Sequence, residues 1–161
     1  MGMRKVDNAD ALREAFYFAR DFAGAVLAET WIQGSEYTVA ILAGKALPAI
    51  RLVTGREFYD FEAKDLSDST QYLCPCGLSE EKEAELQQLA LKAFDAVGCK
   101  GWGRVDVMCN ERGEFYLLEV NTVPGMTDHS LVPMAARADG LEFDQLVLAI
   151  LASTFSVKGA D

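Results

Sequence analysis

Two apolar segments separated by a four-residue turn constrain the fold of this chain more than any other feature. Residues 101–109 and 114–121 are rich in apolar side chains, and the intervening residues 110–113 end on a glycine. Segments of this kind on either side of a glycine-closed turn predict an antiparallel β-hairpin. The simplest register of that hairpin pairs Cys109 with Glu114.

One face of this hairpin is predicted to be polar, because strand side chains alternate between faces with a period of two. It carries Arg104, Asp106, Glu119 and Asn121. The simplest register puts Arg104 opposite Glu119 and Asp106 opposite Leu117. Asp106 and Glu119 are then diagonal neighbours, roughly 7–8 Å apart at the backbone. Two carboxylates and an amide oxygen suit Mg²⁺, whose remaining ligands are often phosphates, so the face suggests nucleotide chemistry.

The alternative interpretation of this face is the solvated side of a half-buried hairpin. Three features favour a functional site instead. Both strand segments are strongly apolar, and the predicted register sets a cation directly opposite an anion. The second strand also leads into residues 122–130, a loop that contains proline and glycine, and sites are often built on such loops.

Composition and charge limit the classes of function. A chain of 161 residues is long enough for one domain with a sizeable core. Its net charge of −10 argues against a nucleic-acid partner but is compatible with a metal–phosphate ligand. No apolar run is long enough to span a bilayer, and no signal peptide is recognised. We therefore expect a cytoplasmic protein without a membrane partner, with its four cysteines as free thiols.

Four helices are predicted from apolar periodicity and capping residues. Asn8 caps a helix to about Ala23, Ser79 one through Val97, and Ser130 a short one through Ala138. The second helix has an apolar stripe that includes Leu86, Leu89, Ala90, Ala93, Phe94 and Val97. The last helix is marked by Phe143, Leu146, Val147, Ile150 and Leu151.

Three strands are predicted ahead of the hairpin, at residues 25–31, 36–43 and 46–53, forming an antiparallel meander. Residues 54–75 lack periodicity. A stretch of this length within a compact domain is usually functional or disordered, and we interpret it as a functional flap. The predicted fold class is α+β, with a largely antiparallel sheet packed against helices.

Five segments of the chain closely resemble D-alanine–D-alanine ligases, a family of the ATP-grasp superfamily. They are residues 29–36, 63–72, 101–108, 118–126 and 129–133. The resemblance runs from about residue 3 to residue 155. It implies that residues 1–161 form a single ATP-grasp domain, the carboxyl-terminal lobe of such a ligase. The amino-terminal domain and the first segment of the ATP-binding lobe would then be missing partners.

The resemblance implies a ligase that joins two D-alanines for peptidoglycan precursor synthesis. ATP would phosphorylate one carboxylate, and the amine of the second D-alanine would attack the acyl phosphate. ATP and Mg²⁺ (or Mn²⁺) are the implied cofactors, and D-alanine is the implied substrate. Because half of the ATP clamp and the first-substrate site are missing, the chain alone is expected to be inactive.

The resemblance also implies roles for the residues of the charged face and the flap. The implied metal ligands are Asp106, Glu119 and Asn121. Arg104 would stabilise negative charge on the acyl phosphate and the tetrahedral intermediate. Lys64, on the flap, would reach the transferred phosphoryl group, and Gly125 would offer a backbone N–H to the oxyanion.

The substrate-binding residues are implied in the same way. The adenine pocket would be lined by Glu29, Trp31 and Ile32. Glu36 would bind the ribose hydroxyls. Ser130 and Leu131, at a helix N-terminus, would bind the carboxylate of the second D-alanine.

The chain departs from the family at Asp65, where tyrosine usually follows the flap lysine and orders the flap. Two further hypotheses stay open at this point. One is a binding module that keeps the lobe as a scaffold, and the other is an ATP-grasp ligase for a different carboxylate. The complete set of Arg104, Asp106, Glu119 and Asn121 favours an enzyme, since a scaffold does not need it.

Overall fold

The structure is a computed structural model that describes residues 2–53 and 70–156. The chain divides into two compact units, Met1–Ile32 and Gln33–Asp161. The assignment of the whole chain to a single domain stays a prediction. In the described part of the chain, no helix is both long and apolar enough to cross a lipid bilayer.

The first unit is built on one helix, α1 (Ala9–Ala23). Its start is fixed by Asn8, whose side-chain oxygen accepts a hydrogen bond from the Ala11 N–H at 2.9 Å. It ends at Gly24, whose φ of 75° suits glycine and whose N–H donates to the Arg20 carbonyl. The predicted helix and both of its end residues are thus confirmed.

The strand predicted at residues 25–31 is wrong. Residues 26–33 belong to no helix or strand in the structure as described. A β-strand exists only where a neighbouring strand completes its backbone hydrogen bonds, and the first unit contains no such neighbour among its described residues. Apolar composition alone therefore did not make this segment a strand.

The described strands of the second unit form one antiparallel sheet, which confirms the α+β class. Its strands are β1 (Gly34–Leu42), β2 (Lys45–Ala46), β3 (Ile50–Val53), β4 (Gln71–Leu73), β5 (Trp102–Asn110) and β6 (Phe115–Asn121). The strand order is β4-β3-β1-β5-β6, and β2 pairs with β1. The predicted strand 36–43 corresponds to β1. The central position of β1, between β3 and β5, gives it neighbours on both edges.

The strand predicted at residues 46–53 is divided into β2 and β3 by Pro48. Proline has no backbone N–H and does not fit within a paired strand. Two side chains from the helix that comes next in the second unit bind the backbone on either side of Pro48. Glu83 accepts from the Ala49 N–H at 2.9 Å, and Gln87 donates to the Leu47 carbonyl at 3.2 Å.

The described residues of the second unit form three helices: α2 (Glu80–Ala96), α3 (Leu131–Ala138) and α4 (Phe143–Ser156). Ser79 caps α2 as predicted, accepting from the Lys82 N–H at 3.3 Å. Val97 lies just beyond the end of α2 and is exposed, so its place in the predicted apolar stripe is wrong. Of the stripe predicted for the last helix, Leu146 is fully buried, but Val147 and Leu151 face solvent.

The core lies on both faces of the sheet, and β1 contributes to each by alternation. Tyr37, Val39 and Ile41 pack with Leu86 and Phe94 of α2 on one face. On the opposite face, the described helices α3 and α4 pack against a second cluster of buried side chains. The buried residues of this second cluster are Ala40, Leu42, Leu47, Ile50, Val132, Ala135, Ala136 and Leu146. Polar side chains also lie on this face of the sheet.

We predict that Leu86→Ala lowers the free energy of unfolding by about 2–5 kcal/mol, because it opens a cavity among fully buried side chains. The matched control is Leu148→Ala, which makes the same change on the exposed side of α4 and should alter stability by no more than about 0.5 kcal/mol. Urea unfolding followed by circular dichroism measures both. Equal losses would contradict the packing of α2 on the sheet.

A second prediction concerns the four free cysteines. Burial raises the pKa of the thiols of Cys74, Cys76 and Cys109. A raised pKa lowers the thiolate fraction at neutral pH, and the thiolate is the reactive form. We expect the fully buried Cys76 to react with a disulfide reagent only after unfolding in guanidinium. The number of thiols that react in the folded chain should therefore be the same in the Cys76→Ala variant as in the parent. A single fast phase for all four thiols in the folded chain would contradict this.

Candidate active-site face

The hairpin register differs from the predicted one, because the loop is shorter than expected. Cys109 pairs with Phe115, not Glu114. The Asn110 N–H donates to the Glu114 carbonyl at 3.0 Å, and this pair closes a loop of three residues. The third of them, Gly113, has a φ of 78°, the left-handed conformation usual at that position.

A β-bulge then restores the alignment of the polar side chains. Val107 pairs with Leu117, but the next residue of β5, Asp106, pairs with Glu119, so that Leu118 is an extra residue in β6. In a regular ladder with Leu118 present, Asp106 would pair with Leu118 and Glu119 would point to the opposite face of the sheet, since a shift of one residue inverts every side chain. The bulge therefore brings Glu119 to the side of Asp106.

Four polar side chains share one face, as the alternation predicted, but their pairing is corrected. Asp106 lies directly opposite Glu119, and not diagonal to it. Arg104 lies opposite Asn121, and not opposite Glu119. None of the four belongs to the buried apolar cluster that α3 and α4 form on this face.

Asp106 is the most constrained member of the face. Its residue exposure is only 8%, and both carboxylate oxygens accept hydrogen bonds. Arg104 donates from Nε to Oδ1 at 2.8 Å and from Nη2 to Oδ2 at 2.7 Å, a bidentate pair. The Thr38 hydroxyl, on the neighbouring strand β1, donates to Oδ1 at 2.6 Å.

Arg104 carries the positive charge of the face. Burial acts to lower its pKa, but the hydrogen bond and charge of Asp106, followed by the charges of Glu119 and Glu36, outweigh burial and raise it. The Arg104 Nη2 lies 4.0 Å from Glu119 Oε1. The Glu119 side chain is 62% exposed and remains accessible to a ligand.

The side-chain oxygens of Asp106, Glu119 and Asn121 are of the kind that bind Mg²⁺, but they do not supply all of its ligands. Within residues 2–53 and 70–156, no group of three or more histidine, cysteine, aspartate or glutamate side chains is arranged to hold a metal ion. Within the described part of the chain, Oδ2 of Asp106 accepts one hydrogen bond, from Arg104, and keeps one lone pair. That oxygen, the exposed Glu119 carboxylate and the Asn121 amide fit a cation that takes its other ligands from phosphates and water.

Gly125 and Ser130 come together at the N-terminus of α3. A Cβ on Gly125 would lie 2.9 Å from the Ser130 Oγ, so the backbone passes close to that hydroxyl. Ser130 stands at the N-cap as predicted, but its side chain makes no capping hydrogen bond to α3. Its Oγ instead accepts from the Thr127 N–H at 2.9 Å. Leu131 begins the helix.

The residues predicted for nucleotide binding are divided between the two units. Glu36 lies on β1, on the same face as Asp106 and opposite Met108. Glu29, Trp31 and Ile32 belong to the first unit, where the Lys5 ammonium lies 4.7 Å from the centre of the Trp31 ring. Lys64 and Asp65 lie outside the described residues, as does most of the predicted flap.

Two residues of this face were missed in the sequence. Thr38 follows Glu36 by two positions on β1, and Met108 follows Asp106 by two positions on β5. The period-two rule that identified Asp106 places Met108 on the charged face directly, because both lie on β5. Thr38 could be placed there only once β1 was paired with β5, and that pairing joins residues nearly 70 positions apart.

Comparison with known proteins matches this chain to one family along most of its length. The family model described as "D-ala D-ala ligase C-terminus" matches residues 1–152. The D-alanine–D-alanine ligase of Nitrosococcus oceani is 61% identical over 154 residues, which make up 96% of this chain and 49% of that protein. The ligase of Saccharophagus degradans is 63% identical over the same shares. The chain thus spans about half the length of the curated relatives it matches.

Solved structures show the same fold. A D-alanine–D-alanine ligase from Bacillus anthracis, complexed with ATP, superposes with a TM-score of 0.79 at 33% identity, covering 94% of this chain and 50% of that one. The VanG D-Ala:D-Ser ligase from Enterococcus faecalis superposes with a TM-score of 0.82 at 29% identity, covering 94% and 45%. On the family match and on this identity with curated ligases, the chain belongs to the D-alanine–D-alanine ligase family, whose carboxyl-terminal domain it matches.

Proposed function

We propose that this chain supplies the carboxyl-terminal catalytic lobe of an ATP-dependent D-alanine–D-alanine ligase. The observation that carries the proposal is the opposed pair of Asp106 and Glu119, with Arg104 and Asn121 beside them on the same face of the sheet. The identities of 61% and 63% with two D-alanine–D-alanine ligases support D-alanine as the second substrate.

Asp106, Glu119 and Asn121 would hold Mg²⁺ or Mn²⁺ with the phosphates of ATP. The ion neutralises phosphate charge and orients the phosphoryl group for transfer. Glu119 is accessible for this role because of its exposure. Asp106 is less accessible and offers mainly the lone pair of Oδ2, because Arg104 and Thr38 occupy its remaining acceptor positions.

Arg104 would stabilise the negative charge of the acyl phosphate and of the tetrahedral intermediate. It is held in place before the reaction by two hydrogen bonds to Asp106, and such preorganised charge is effective because it needs no rearrangement. Gly125 would donate its backbone N–H to the oxyanion. Ser130 and Leu131 would bind the carboxylate of the second D-alanine, since N–H groups at a helix N-terminus attract anions.

Glu36, on the same face as Asp106, would bind the nucleotide by accepting hydrogen bonds from the ribose hydroxyls. Glu29, Trp31 and Ile32 would line the adenine pocket, and Lys64 would reach the transferred phosphoryl group. The dipeptide would serve peptidoglycan precursor synthesis in the cytoplasm, and the partner would be the amino-terminal half present in the longer relatives.

Reconstitution tests this proposal. We expect neither this chain nor the amino-terminal half of the Nitrosococcus oceani ligase to form dipeptide alone, and the two together to release phosphate and D-alanyl-D-alanine. Asp106→Asn and Glu119→Gln in the assembly should lower activity by about 100-fold or more, because even the partners of metal ligands contribute about 10–100-fold. Glu111→Gln, in the exposed turn of the same hairpin, is the matched control.

Two results would contradict the proposal. One is an assembly that binds D-alanine and ATP but forms no acyl phosphate. The other is full activity in the Asp106→Asn and Glu119→Gln variants.

We further predict that Arg104→Lys lowers the turnover of the assembly by at least about tenfold, because an ammonium cannot reproduce the planar, bidentate contact with Asp106. The control is Arg137→Lys, the same substitution at an exposed position in the last turn of α3. Steady-state phosphate release measures both. Equal turnover in the two variants would show that the positive charge alone is sufficient.

A further inference from the structure

Thr38 occupies a central and enclosed position beside the charged face. It lies in the middle of β1, directly across from Asp106 on β5 and from Ile50 on β3. Only 2% of the residue is exposed. A polar side chain in such a place needs a hydrogen-bond partner, and the partner identifies what Thr38 does.

The Thr38 hydroxyl has one proton and two acceptors within reach. Oδ1 of Asp106 lies 2.6 Å from its Oγ1, and the Val105 carbonyl oxygen lies 3.4 Å away. The shorter contact, to a charged acceptor, takes the proton, because charge-assisted hydrogen bonds are the stronger ones. Thr38 therefore acts on Asp106.

This bond divides the two oxygens of the carboxylate into different roles. Oδ1 receives both the Thr38 hydroxyl and the Arg104 Nε, which together use its two lone pairs. Oδ2 receives the Arg104 Nη2 and keeps a lone pair. The same Nη2 is the atom 4.0 Å from Glu119, so Oδ2 is on the side of the carboxylate where Glu119 lies.

We propose that Thr38 is a positioning residue for the metal site: its hydroxyl fixes Oδ1 of Asp106 and so presents Oδ2 to the cation shared with Glu119. The inference rests on the proposed function of this face. Arg104 bonds both oxygens of the carboxylate and does not distinguish them. The bond from Thr38 reaches Oδ1 alone, so it is the contact that leaves Oδ2 as the oxygen with an available lone pair.

The test measures metal binding apart from turnover. The assembly of this chain with the amino-terminal half of the Nitrosococcus oceani ligase is titrated with Mn²⁺ in the presence of a non-hydrolysable ATP analogue, and free Mn²⁺ is read by electron paramagnetic resonance. Thr38→Val keeps the shape and removes the hydroxyl. We expect it to raise the Mn²⁺ dissociation constant by about 10–100-fold, while affinity for the metal-free analogue is unchanged.

Three further variants make the result decisive. Thr38→Ser keeps a hydroxyl and should restore binding close to the parent value. Ser153→Ala removes another buried hydroxyl, one that bonds within α4, and should have no effect. Should Thr38→Val fail to fold, Thr38→Ala serves in its place, with Thr38→Ser again as the rescue.

The outcomes separate the two proposals. Parent-like Mn²⁺ affinity in Thr38→Val, with affinity lost in Asp106→Asn, would overturn the role of Thr38 and leave the proposed function standing. A loss in Thr38→Ser as large as that in Thr38→Val would also overturn it, because the hydroxyl would then be irrelevant. A parent assembly without a Mn²⁺ site, or one that Asp106→Asn leaves intact, would overturn both proposals.

Discussion

The antiparallel ladder between β1 and β5 is the constraint on which the second unit depends. It runs the full length of both nine-residue strands. Because successive side chains of a strand point to opposite faces, the ladder supplies the cluster under α2 on one side. On the other side it supplies part of the cluster under α3 and α4, together with the charged face. Stability and chemistry thus share one set of backbone hydrogen bonds.

Local signals in the sequence were sufficient for the helices and for the composition of the site. Asn8 and Ser79 marked helix starts correctly because capping depends on only a few neighbouring residues. Period-two alternation placed Asp106 and Glu119 on one face. It failed at the hairpin register, which was set by a three-residue loop and by the extra residue in β6, and neither leaves a periodic signal in the sequence.

Long-range contacts account for the remaining errors. Residues 25–31 are apolar enough for a strand but have no neighbour to pair with in the described part of the chain. Pro48 interrupts a strand that composition alone would continue. Thr38 was missed because its importance depends on Asp106, a residue that is distant in sequence and adjacent only in the fold. Family resemblance supplied roles for individual residues, and those roles stay proposals.

The alignment of β6 with β5 also limits how the gene can change. Leu118 is half exposed, and its side chain has many acceptable replacements. Loss of that single codon would leave Glu119 opposite Asp106 and Asn121 opposite Arg104 in a regular ladder, and would remove only the bulge. Gain of one codon between the turn and Glu119 would instead shift Glu119 and Asn121 by one register position and send both to the opposite face of the sheet. Homologous lobes are therefore expected to tolerate the loss of this residue, whereas single-residue insertions ahead of the Glu-x-Asn sequence should be rare.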